Sequence, residues 1–125
     1  DAHRVRIENN QITGGDLPWG AQVVIEGAAA QGTPMSGPTD ITIKNNQFMN
    51  APALSITIGS AYLVNVLNNQ VSADASYPRS QPGGVISIHD SSTVTVSGLT
   101  VNDPRPNTQQ PYVRVQSSTG VTILP

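Results

Sequence analysis

The chain has 125 residues and a mass of 13.1 kDa, which fits one domain and leaves little room for two. Only 11% of the residues are charged, with 6 Lys+Arg against 8 Asp+Glu and a formal net charge of −2, where an ordinary soluble domain carries about 25%. That balance excludes an electrostatic footprint for nucleic acid or for an anionic membrane, no apolar run is long enough to span a bilayer, and zero cysteine excludes disulfides and thiolate-bound zinc.

The polarity comes instead from 12 Ser, 11 Thr, 10 Asn and 9 Gln, and the apolar residues are mainly 13 Val and 10 Ile. That mixture suits half-buried strands and disfavours helices. In chain order, Val5-Arg6-Ile7-Glu8-Asn9-Asn10-Gln11-Ile12 opens a strand pattern, followed by a loop, Gly14 to Gly20, that carries Trp19. Val23-Val24-Ile25-Glu26-Gly27 is a second strand, and the longest insertion runs from Gly27 to Thr39. Ile41-Thr42-Ile43-Lys44-Asn45-Asn46-Gln47-Phe48 repeats the first pattern, and Ile56-Thr57-Ile58-Gly59-Ser60 repeats the second. Both return as Val64-Asn65-Val66-Leu67-Asn68-Asn69-Gln70-Val71 and Ile86-Ser87-Ile88-His89-Asp90, across a loop (Ala73 to Gly84) that holds Tyr77 and Arg79. The fourth copies are Val94-Thr95-Val96-Ser97-Gly98-Leu99-Thr100-Val101 and Val113-Arg114-Val115-Gln116-Ser117, joined by Asp103 to Pro111, which reads as a plain extended connector. Val121-Thr122-Ile123-Leu124 starts a fifth.

Odd strands resemble odd strands and even strands resemble even ones, at unequal spacings. An antiparallel sandwich has no reason to show that equivalence. Stacked layers do, because each layer places equivalent residues about 4.8 Å apart. Four interior stacks follow: Val5/Ile41/Val64/Val94/Val121, Ile7/Ile43/Val66/Val96/Ile123, Ile12/Phe48/Val71/Val101 and Ile25/Ile58/Ile88/Val115. The Asn pairs Asn9-Asn10, Asn45-Asn46 and Asn68-Asn69 mark a sharp corner. Asn tolerates left-handed angles there, and stacked amides can bond from layer to layer as a structural ladder. Gly98 meets the same backbone need in the fourth copy.

These apolar-x-apolar-x-Asn-Asn units resemble the right-handed parallel β-helix repeat of the pectate-lyase-like superfamily, from Val5 to Ile123. The resemblance implies an all-β, single-stranded, right-handed solenoid of about four coils, with residues 1–125 as one β-helix domain. It also implies that these are the C-terminal coils of a longer protein. Relatives on that scaffold include polysaccharide lyases, glycoside hydrolases, epimerases, phage tailspikes and adhesins. The expected function is therefore the C-terminal part of a secreted glycan-degrading enzyme, a glycoside hydrolase more than a lyase. Its main catalytic residues would lie on upstream coils. The alternative is a non-catalytic structural or adhesive β-helix.

Polysaccharide-cleaving β-helices work from the outer face of a sheet. Here the outward columns are Val24/Thr57/Ser87/Arg114 and Glu26/Gly59/His89/Gln116, with Gly27/Ser60/Asp90/Ser117 at the strand ends. Glycoside hydrolysis needs two carboxyl groups within about 5–9.5 Å. Glu26 and Asp90 are two layers apart, about 10 Å by the strand spacing, as are Glu26 and His89. These three residues are the catalytic candidates, against the plainer reading of exposed strand-end polar residues or turn caps. Trp19 and Tyr77 can stack on sugar rings, and Arg79 and Arg114 can pair with an anionic sugar, against packing and solvated-strand readings. His3 and His89 are far apart and no metal-ligand spacing occurs, so neither metal nor cofactor is expected. The expected partners are a poly- or oligosaccharide and either missing upstream coils or self-association at the open ends, not nucleic acid or membrane. The expected location is extracellular or periplasmic.

Overall fold

Alternating β-branched residues bury every second side chain, and each such run in the sequence becomes a strand. The computed structural model describes residues 3–15, 20–27 and 37–125. It is all β, with no helix among those residues. The first strands are β1 (His3–Glu8), β2 (Gln11–Thr13) and β3 (Ala21–Glu26), then β4 (Thr39–Lys44), β5 (Gln47–Met49) and β6 (Leu54–Gly59). Next come β7 (Tyr62–Leu67), β8 (Gln70–Ser72) and β9 (Ile86–His89). The last are β10 (Ser92–Ser97), β11 (Thr100–Asn102), β12 (Val113–Gln116) and β13 (Thr119–Leu124).

Each strand pairs in parallel with the strand three places along the chain. The sheets run β1-β4-β7-β10-β13, β2-β5-β8-β11 and β3-β6-β9-β12. The antiparallel sandwich is thereby excluded. Three parallel sheets in this order are compatible with a parallel β-helix. The register puts Val5, Ile41, Val64, Val94 and Val121 in one column. Ile12, Phe48, Val71 and Val101 form another, and Ile25, Ile58, Ile88 and Val115 a third.

The core is densest in the middle of these columns. Ile41, Ile43, Phe48, Ile56, Ile58, Ile86 and Ile88 are fully buried, while Ile123 is half exposed. Each fully buried side chain of this size contributes about 1.5–3 kcal/mol.

The Asn pairs divide two tasks. The first member takes left-handed angles, with φ of 59° at Asn9, 57° at Asn45 and 55° at Asn68, and Gly98 at 68° continues the column. The second member carries the ladder. Asn10 Nδ2 donates to Asn46 Oδ1 at 3.1 Å, and Asn46 Nδ2 donates to Asn69 Oδ1 at 3.0 Å. Asn46 and Asn69 also donate to the carbonyls of Ile7 and Ile43, both at 2.9 Å. Asn46 and Asn69 are buried, so these bonds satisfy groups that have no water.

A second left-handed column has no counterpart in the Asn pattern. Arg4, Asp40, Leu63 and Thr93 all have φ of 55–56°, and Gly120 follows at 62°. It lies just ahead of the inward-facing Val/Ile pairs, and the four non-glycine residues each hold a conformation that is costly for an L-residue.

Asp103 to Pro111 is not a plain connector. Asp103 and Arg105 form a 2.8 Å ion pair with side-chain exposures of 0% and 4%. Thr108 Oγ1 donates to the same carboxylate at 2.7 Å, and Arg105 Nη1 donates to the Ala51 carbonyl at 2.8 Å. Burial alone would raise the Asp103 carboxyl, but the hydrogen bonds from Arg105 and Thr108 outweigh it and hold it below its ordinary value.

Candidate functional site

The third sheet presents the columns Glu26-Gly59-His89-Gln116 and Val24-Thr57-Ser87-Arg114. Glu26 and His89 belong to strands two apart, so their backbones are about 9.5 Å from each other. The position between them is Gly59. With no side chain in the way, His89 Nε2 and Glu26 Oε2 meet at 3.5 Å across it. A Cβ on Gly59 would lie 2.5 Å from His89 Cε1 and Nε2 and 2.6 Å from Glu26 Oε1.

The other imidazole nitrogen is held by the next residue. His89 Nδ1 lies 3.1 Å from Asp90 Oδ2. Asp90 has φ of 49° and stands in a corner column with Ser60 at 51° and Ser117 at 49°. That backbone places its carboxylate beside the ring. Nδ1 faces Asp90 and Nε2 faces Glu26, so a proton on either ring nitrogen has a carboxylate to accept it. The three side chains are 46%, 30% and 21% exposed for Glu26, His89 and Asp90. Ion pairs that wet are worth about 0–1 kcal/mol, so stability alone is a weak account of the cluster.

Beside the cluster lies a cleft of about 280 Å³ lined by Arg79, Arg114, Ser87, Gln81, Gly83 and Gln116, among others. Ser87 is two residues before His89 on β9, and Gln116 pairs with His89 in the sheet register. Cleft and cluster therefore share one face. Arg79 comes from the loop after β8 and is 7% exposed. Its Nε donates to the Gln81 carbonyl at 2.8 Å and its Nη2 to the Gly84 carbonyl, while its Nη1 is buried without a partner. Burial, and next the Arg105 guanidinium, push Arg79 below the usual arginine range; Asp103 opposes this and Arg114 adds to it. Arg114 is half-buried, with Nε donating to the Pro111 carbonyl at 3.2 Å.

The site residues expected from the sequence thus fall into groups. Glu26, His89 and Asp90 come together. Arg79 and Arg114 line one cleft, although much of Arg79 is spent holding its own loop. Tyr77 is 50% exposed and lines a separate hollow with Arg79, Arg105 and Asn107. Trp19 lies outside the described residues. Ser87 and Gln116 as cleft residues, and Gly59 as the gap that lets the cluster form, were not singled out. The signal for Gly59 was a glycine at an outward position of an otherwise regular Ile-x-Ile strand.

Among the described residues no group of three or more His, Cys, Asp or Glu is arranged to hold a metal ion, and no helix is long and apolar enough to cross a membrane. No family model, curated protein or solved structure matches the chain.

Proposed function

We infer that this chain is a right-handed parallel β-helix segment of about four coils, similar to the pectate-lyase-like superfamily. On this reading it binds a poly- or oligosaccharide along the outer face of the β3-β6-β9-β12 sheet and hydrolyses it there. The handedness has a general warrant, since connections between parallel strands of one sheet are almost always right-handed. The observation that carries the function is the Glu26–His89–Asp90 cluster, assembled across Gly59 and next to a polar cleft on the same face.

Glycosidic cleavage needs a proton donor at the leaving oxygen and a carboxylate that activates water or meets the developing positive charge. His89, oriented by Asp90 and protonated on both ring nitrogens, gives its Nε2 proton to the leaving oxygen as the glycosidic C–O bond breaks, and Glu26 takes the proton of the water that adds at the sugar carbon. Asp90 acts through His89 as a positioning residue. Such a role fits an extracellular or periplasmic protein with few charges and no cysteine.

One observation favours a second reading. Both imidazole nitrogens already face carboxylates, so the cluster can serve as a clamp between layers of a non-catalytic, structural or adhesive β-helix. The two readings separate in one assay: release of reducing ends from a panel of neutral and acidic polysaccharides by wild type, His89→Ala and Glu26→Gln. The enzyme reading expects cleavage of at least one polymer and a rate loss of about 100-fold or more in His89→Ala. No cleavage by wild type, or cleavage indifferent to His89→Ala, sinks it and leaves the clamp.

A further inference from the structure

The candidate cluster sets two carboxylates around one imidazole, with no permanent cation to balance them. Among the described residues Glu26 and Asp90 form ion pairs with His89 alone, while Arg4, Arg6 and Arg105 pair with Asp40 and Asp103 elsewhere. The contact between Glu26 and His89 is also long for the groups it joins. Oε2 and Nε2 are 3.5 Å apart, where a charge-assisted hydrogen bond spans about 2.7–2.9 Å. An ion about 2.0–2.1 Å from a nitrogen and about 2.0–2.2 Å from an oxygen, at the tetrahedral angle, spaces those donors by ~3.3–3.5 Å. The gap between the two side chains is one such ion wide.

We propose that Glu26 and His89 form a site for an exchangeable divalent transition ion of the zinc class, held between Oε2 and Nε2 with water at its remaining positions. Asp90 is the outer partner. It accepts the proton that stays on Nδ1, so the Nε2 lone pair is free for the ion, and a carboxylate in that place strengthens a histidine ligand. When the ring carries two protons, the one on Nε2 leaves to water as the ion binds. An imidazole beside a carboxylate suits zinc and its neighbours, whereas magnesium and calcium take oxygen donors.

Gly59 makes the site possible, because a Cβ there would lie 2.5 Å from Nε2 and 2.6 Å from Oε1 of Glu26. Both donors are partly exposed, so the ion enters from solvent. Spacing along the chain does not reveal the pair, since one donor is on β3 and the other on β9. For the reaction proposed above the ion is an inhibitor: it takes the nitrogen that donates the proton and the carboxylate that receives one. That consequence rests on the hydrolase reading; the binding does not.

The experiment titrates the 125-residue chain with Zn²⁺, and separately with Mg²⁺ and Ca²⁺, following the ring signals of His89 and of His3, the other histidine. The expected result is that Zn²⁺ shifts the His89 signals with a half-point below about 1 mM, while Mg²⁺ and Ca²⁺ leave them in place. Glu26→Gln and Asp90→Ala should each weaken Zn²⁺ binding about tenfold or more. No response at His89, a response no stronger than that of His3, or one unchanged in Glu26→Gln means an adventitious ion only and overturns the site. An equal response to Mg²⁺ or Ca²⁺ overturns it too, because the imidazole then plays no part. If wild type cleaves a polymer, Zn²⁺ at about ten times its half-point should slow cleavage about tenfold, and a chelator should restore the rate. Binding at His89 with the rate unchanged keeps the ion site and removes the pair from the reaction. Cleavage without Zn²⁺ binding removes the ion site and leaves the hydrolase. Zn²⁺ binding that depends on Glu26, with no polymer cleaved, keeps the ion site and removes the hydrolase.

Discussion

Gly59 is the residue on which the candidate site turns. Its backbone is outside the left-handed region, so alanine is permitted there conformationally. The three atoms nearest the added methyl lie at the ends of two partly exposed side chains, His89 and Glu26, which can swing away. Gly59→Ala should therefore keep the fold, with a stability change within about 1 kcal/mol since the lost ion pair is partly exposed. It should nevertheless separate Glu26 from His89. Thermal unfolding checks the first expectation, and the His89 ring chemical shifts, compared with those of Glu26→Gln, check the second. If neither variant moves the His89 ring signals from their wild-type positions, the contact across Gly59 is not formed in solution. The residue explains why the three candidates looked distant in sequence: rung counting measures backbone separation, and a missing side chain between two long ones cancels it.

At the level of single turns and loops, the Asn pairs separate backbone need from hydrogen-bond need. Asn45 supplies a left-handed residue, which glycine supplies equally well, so Asn45→Gly should change stability by less than about 1 kcal/mol. Asn46 bonds to both neighbouring layers and is buried, so Asn46→Ala strands Asn10 and the Ile7 carbonyl and should cost about 2–4 kcal/mol. Urea unfolding of the pair decides, and equal losses would mean that the ladder does no more than shape the corner.

The Asp103–Arg105 staple gives a pH dependence with a definite sign. The folded carboxyl lies below its unfolded value of about 3.9. Its contribution is therefore present above that unfolded value and is lost as pH falls through the lower, folded one. Asp103→Asn should lose about 3–5 kcal/mol at neutral pH, because it leaves Arg105 buried and unpaired. The difference from wild type should then shrink in acid. A constant difference down to pH 2 would show that the pair does not form.

Across the whole molecule, the strand alternation and the repeat made the layers, the four interior columns and the outward columns legible before any coordinates. Periodicity reports which side of a strand a residue faces, and repeats report what stacks on what. Neither reports what a loop does. The Pro-rich run looked extended because proline disfavours regular pairing, yet Arg105 and Asp103 fold it into a buried staple. Nor was the column of Arg4, Asp40, Leu63, Thr93 and Gly120 legible, since a shared left-handed angle imposed by stacking leaves no common residue type.

The same stacking predicts how the molecule comes apart. In a layered fold each layer is stabilised mainly by its neighbours, so interior layers have two partners and outer layers have one. Burial follows that rule: β4, β7, β9 and β10 each bury two or three side chains, whereas β1 and β13 bury none. Native-state amide exchange should therefore rank by layer. In the 125-residue chain taken by itself, the amides of Ile43, Val66, Ile88 and Val96 should open only with global unfolding, and those of β1, β3 and β13 should exchange earlier through local fraying. Glu26 lies on β3, so loosening of that outer layer would also loosen its contact with His89. Uniform protection along the chain, or slowest exchange in β1 or β13, would contradict nearest-neighbour stacking as the source of stability.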